Sequence, residues 1–91
     1  MWQLVWTEAF ARRARKLVRR NRELHEALGA ALALLAEDPR HPRLKLHPLR
    51  GELEGLWAVS VTYSVRLVLV LKEPDKEIVL LALGSHDEAY R

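Results

Sequence analysis

The chain is expected to fold as a single α+β domain over residues 1–91, with an N-terminal strand, a helix hairpin and then three antiparallel strands. The strands form a twisted sheet that carries the helices on one face. Three observations predict this. Apolar residues recur at helical spacing from Phe10 to Leu35 and alternate with a period of two from Leu56 onward. Pro39, Pro42 and Pro48 separate these two regimes. The later apolar runs are joined by turns too short for parallel crossovers, so their pairing is antiparallel.

Taken in order, "WQLVW" at 2–6 is short and rich in aromatic and β-branched residues, and it reads as a first strand. Thr7 behind it is a helix N-cap. Phe10, Ala14, Leu17 and Val18 then form one apolar stripe, while Arg12, Arg13, Arg15, Lys16, Arg19 and Arg20 fill the opposite face of an amphipathic helix. Asn21 offers a second N-cap. Leu24, Ala27, Leu28, Ala31, Leu34 and Leu35 continue at helical spacing until "EDPRHP" forbids continuation. Two helices with so short a break fold back as a hairpin. Gly29 weakens the second helix by about 1 kcal/mol relative to Ala, which suggests a close approach of backbones there.

Residues 39–55, "PRHPRLKLHPLRGELEG", form an irregular segment with at most a short strand at 43–46. From Leu56, Trp57, Val59, Val61 and Tyr63 alternate with Ala58, Ser60, Thr62 and Ser64, the period of a strand. "VRLVLVL" at 65–71 and "EIVLLALG" at 77–84 are two more strands, joined by "KEPDK" with a Pro-Asp turn pair. With the helices on one face of the sheet, the other is left available for function.

Composition narrows the chemistry. Hydrophobic residues make up 49% of the chain, enough for a packed core and too many for disorder. There is no cysteine, so disulfides, thiolate zinc sites and thiol nucleophiles are unavailable, and the cytoplasm is the default location. No stretch is long and apolar enough to read as a transmembrane helix or signal segment, so a soluble protein is expected. Net charge is +3, unevenly divided: residues 1–50 carry 11 Lys or Arg against 5 acids, residues 51–91 only 4 against 7. A basic half on a small domain attracts polyanions, nucleic acid first among them.

Three side chains stand out as candidates for chemistry. Arg66 begins a strand that is otherwise apolar, and such a guanidinium is paired, faces the surface or meets an anion. Its candidate ion-pair partners are Glu52, Glu54 and Asp87. His47 in "LKLHPLRG" and His86 in "GSHDEAY" can exchange protons near neutral pH. Two histidines with an arginine between them suit RNA cleavage through the 2′-hydroxyl. Lys45 and Arg50 flank His47 and suit phosphate contact, and Tyr90 suits stacking on a base. His41, His47, His86 and Asp87 lack the spacing of a compact metal site, so no metal and no cofactor are expected.

The stretches "LVWTEAFARRARKL", "DPRHPRLKLHPLRGELEGLWAVSVTYSVRLVLVL" and "LLALGSHDEAYR" closely resemble the RelE/ParE toxin superfamily of bacterial type II toxin-antitoxin systems, especially its YafQ-like and YoeB-like mRNA interferases. The resemblance spans nearly the whole chain. It implies a ribosome-dependent endoribonuclease that cleaves mRNA without metal. His47 would be its general base, Arg66 its phosphate-stabilising residue and His86 its general acid, with Tyr90 as the C-terminal aromatic. Where YafQ-like enzymes carry a further histidine and aspartate, this chain has Ser60 and Ser64.

The resemblance further implies a cognate antitoxin, 16S rRNA contacts through the basic helices, and no contact with membrane, or with DNA except through the antitoxin. ParE-like members share the fold and inhibit DNA gyrase. A gyrase inhibitor, or a non-catalytic module binding RNA or protein, is therefore the alternative.

Overall fold

The computed structural model describes residues 1–85 and Ala89. The elements follow the expected order with one short strand added, β2: strand β1 (Gln3–Trp6), helices α1 (Glu8–Val18) and α2 (Arg22–Glu37), then strands β2 (His47–Pro48), β3 (Trp57–Ser60), β4 (Val65–Lys72) and β5 (Glu77–Ser85). The five strands form one sheet in the order β1-β5-β4-β3-β2. β1 runs parallel to β5, and every other neighbouring pair is antiparallel. Among the described residues no helix is long and apolar enough to cross a membrane.

Local chemistry sets the helix starts. Thr7 Oγ1 accepts the Phe10 N–H at 3.1 Å, capping α1, and donates its own hydrogen to the Leu80 carbonyl at 2.6 Å, pinning the helix to β5. Asn21 Oδ1 accepts the Leu24 N–H at 3.0 Å to start α2. Arg20 between them takes φ 62°, the left-handed conformation that reverses the chain. α1 buries Phe10 and Ala14, and α2 buries Leu24, Leu28, Ala31 and Leu35. All of these except Leu24 meet Val59, Leu67, Leu69, Ile78, Leu80 and Leu83 from one face of the sheet in the main core. Each large aliphatic or aromatic side chain buried there stabilises the fold by roughly 1.5–3 kcal/mol.

Three local expectations are corrected. Residues 43–46 form no strand: Pro42–Leu44 is a 3₁₀ turn, and Lys45 follows at φ 52°. Pro42 lacks the N–H a ladder needs, and His41 Nδ1 instead accepts the Arg43 N–H at 3.1 Å. The alternating run from Leu56 to Ser64 is a strand only to Ser60. Beyond it the chain turns, because Val61 N donates to the Val65 carbonyl and Thr62 Oγ1 accepts the Val65 N–H. Gly29 marks no close approach among the described residues: a Cβ built there meets no atom within 4 Å.

One irregularity decides which side chains reach the second face. Pairing of β4 with β5 shifts from Leu69 opposite Leu80 to Val68 opposite Ala82, so Leu81 is the extra residue of a β-bulge. The bulge flips the alternation. Ile78 and Leu80 point into the main core, and so does Leu83, while Ala82 and Gly84 share the other face with Val68 and Arg66.

Candidate functional site

The described residues cover the second face only in part. Its small core consists of Ala58, Val68, Leu49 and Ala89, with Leu53, Leu56 and Ala82 packed against it. The connection from β2 to β3 folds over this core as a tight loop, closed by the Leu49 N–H donating to the Leu56 carbonyl at 2.9 Å. Gly51 at φ 68° and Gly55 at φ 97° supply left-handed turns that side chains rarely adopt.

Pairing register places the candidate residues around this loop. His47 is opposite Ala58, which is opposite Val68, which is opposite Ala82. Directly paired residues share a face, so His47 belongs to the second face at the sheet's edge. One row further along, Ser60 is opposite Arg66 and Arg66 is opposite Gly84. His47 and Arg66 are thus two strands and one row apart, about 12 Å between Cα atoms from strand spacing alone.

His47 is exposed, and its Nδ1 lies 2.9 Å from the Lys45 carbonyl oxygen. A carbonyl can only accept, so in this contact Nδ1 carries the hydrogen and the neutral ring bears its lone pair on Nε2. The left-handed backbone of Lys45 forms this turn. Lys45 and Arg50 are both exposed, on either side of His47 along the chain.

Arg66 is half-buried, and its guanidinium is turned toward the β3–β4 turn. Nη1 donates to the carbonyls of Thr62 at 2.8 Å, Tyr63 at 2.9 Å and Val65 at 3.3 Å. Of the carboxylates proposed as ion-pair partners, Glu52 and Glu54 do not pair with it. Main-chain carbonyls satisfy it instead, and no side-chain pattern could reveal them. These bonds occupy one nitrogen, so Nε and Nη2 are the donors available to an anion. Ser60 is directly across from Arg66.

β5 ends at Ser85, opposite Val65, at the end of the sheet where the Arg66-capped turn lies. His86, Asp87 and Tyr90 lie outside the described residues. Among the described residues, no three His, Asp or Glu side chains gather as metal ligands.

A family model described as bacterial toxin of type II toxin-antitoxin system, YafQ, matches residues 2–91. The chain belongs to the YafQ family of toxins. Among solved structures, a metal-bound toxin from Helicobacter pylori is 29% identical, with a TM-score of 0.78 and coverage of 97% of this chain and 98% of that one. YafQ from E. coli strain BL21(DE3) is 19% identical at a TM-score of 0.77, covering 96% of each chain. The E. coli DinJ-YafQ complex matches at 18% identity and a TM-score of 0.78 over 100% of both chains. Among curated proteins, none matches the chain. As a YafQ-family toxin it shares the open, five-stranded mixed sheet with two helices of these relatives. Its bulged β5 carries both the main-core leucines and the row opposite Arg66.

Proposed function

We propose that this YafQ-family toxin is a ribosome-dependent endoribonuclease of the cytoplasm that cleaves mRNA by acid–base attack of the 2′-hydroxyl. The observation that carries the reading is the shared sheet face of His47 and Arg66, one row apart, with His47 held through Nδ1 by the Lys45 carbonyl. In the proposed reaction, His47 Nε2 takes the proton of the 2′-hydroxyl. The 2′-oxygen then attacks phosphorus. Arg66, through Nε and Nη2, stabilises the negative charge that grows on the non-bridging oxygens. His86 gives a proton to the departing 5′-oxygen as the P–O5′ bond breaks. The products are a 2′,3′-cyclic phosphate and a free 5′-hydroxyl, and every proton is accounted for without routing a step through a metal.

Lys45 and Arg50 would contact neighbouring phosphates, Tyr90 would stack on a base, and the cationic side of α1 would meet ribosomal RNA. A cognate antitoxin would restrain the toxin, in keeping with the solved DinJ-YafQ complex of a relative. The test is to map transcript ends on translating ribosomes with the wild-type chain and with His86→Ala. Loss of cleavage by roughly 10²- to 10⁴-fold is expected for the variant. Undiminished cleavage would remove His86 from the mechanism. Toxicity without cleaved ends, coupled to gyrase inhibition, would favour the ParE-like binding function.

A further inference from the structure

α1 carries four cations, Arg12, Arg13, Arg15 and Lys16, and the fold separates one of them from the rest. Arg12, Arg15 and Lys16 are exposed, whereas Arg13 is half-buried. It stands three residues after Phe10 and four before Leu17, on the side of α1 that packs against the sheet. Its Nε donates to the Leu83 carbonyl of β5 at 3.1 Å. That carbonyl lies on an edge left open by the topology. β1 pairs with β5 only as far as Trp6 opposite Leu80, and the chain then turns away into α1. Thr7 Oγ1 donates to the Leu80 carbonyl at 2.6 Å, and Arg13 supplies a second donor from the same helix further along this edge. Carbonyls of a regular strand face one edge at every second residue. The bulge at Leu81 adds one residue to that count, which brings Leu83 rather than Ala82 to this side.

We infer that Arg13 is a positioning residue for the general acid: by holding Leu83 to α1, it fixes the end of β5 from which His86 follows in the chain. The role rests on the acid–base reading of His86. Gly84, next to Leu83, is directly opposite Arg66, and Ser85 ends the strand immediately before His86. Without a donor on the open edge, this last part of β5 would be held by β4 alone. α1 is anchored in the main core through Phe10 and Ala14, so the Arg13 bond ties the strand end to that core. Such support matters because a group that transfers a proton must be held within about 0.5 Å of its productive place. A purely RNA-binding role, as for the other cations of α1, does not account for a side chain that is half-buried and engaged with a main-chain carbonyl.

The experiment follows mRNA cleavage on translating ribosomes by the full chain as wild type, Arg13→Met, Arg13→Gln and His86→Ala. Each acts on ordinary mRNA and on mRNA whose scissile 5′-oxygen is replaced by sulfur. When the P–S5′ bond breaks, the electron pair leaves as a thiolate that needs no proton, so a defect in the acid is relieved on that substrate. Arg13→Met has no donor. It is expected to lower the saturating rate on ordinary mRNA by about 100-fold, to leave the half-saturating toxin concentration unchanged, and to regain the wild-type rate on the sulfur substrate. Arg13→Gln places a donor nitrogen as many bonds from the backbone as the arginine Nε, and should restore most of the rate on ordinary mRNA. A loss equal on both substrates, or as large in Arg13→Gln as in Arg13→Met, would overturn the role. So would a raised half-saturating concentration at an unchanged rate, the mark of an RNA-binding cation, and so would a loss that matches the fraction unfolded by circular dichroism. No cleavage by wild type, or no rescue of His86→Ala by sulfur, would sink the nuclease reading itself, an outcome distinct from the others.

Discussion

On the side of the sheet that meets the helices, Val59, Leu67, Leu69, Ile78, Leu80 and Leu83 close against Phe10, Ala14, Leu28 and Leu35. On the other side the buried groups are few and small, Ala58, Val68, Leu49 and Ala89, and the row beyond them holds Ser60, Arg66 and Gly84. The first face has the close packing that makes a core sensitive to a lost methylene. The second exposes polar groups on a backbone that the first holds in place. On the proposed reading, stability and chemistry belong to opposite sides of the same strands, so that one can be altered with little effect on the other.

The largest expected effect is on activity alone. His47→Ala should reduce transcript cleavage by roughly 10²- to 10⁴-fold while leaving urea unfolding close to wild type, because the ring is exposed. A matching collapse of stability would show that the two faces are not independent. Next, Phe10→Ala should destabilise the fold by about 3–5 kcal/mol in urea titrations, against about 2 kcal/mol for Leu49→Ala in the smaller core. Equal losses would contradict the division of labour.

Arg66→Met tests the residue that belongs to both accounts. It should abolish cleavage and also cost about 1–2 kcal/mol, since the turn carbonyls of Thr62 and Tyr63 lose their donor. Retention of full stability would mean that water replaces the guanidinium at no cost. Smallest is Thr7→Ala, expected to cost about 1 kcal/mol by uncapping α1 and releasing the Leu80 carbonyl, with cleavage unaffected.

The elements readable in advance were those set by near neighbours in the chain. The caps at Thr7 and Asn21, the stripe from Phe10 to Val18 and the turn at Pro74-Asp75 each depend on residues a few positions apart. Misreadings occurred where local hydrogen bonds competed with an apparent period. Thr62 ends β3 early, and His41 with Pro42 replaces a strand by a 3₁₀ turn. At the site, His47 and Arg66 were legible as residue types, and their common face required the pairing register of three strands.

By itself, the sequence determined the two helices, most of the strands, the cationic character of α1 and the membership of a toxin family, because helical period, capping and charge are properties of short segments. Only the tertiary structure decided that Leu81 bulges, that Ala82 and Gly84 therefore turn to the side of Arg66, and that carbonyls rather than Glu52 or Glu54 hold the guanidinium. Those outcomes depend on which strand lies beside which and in what register. Register is settled by the packing of both sheet faces together, and no single segment encodes it.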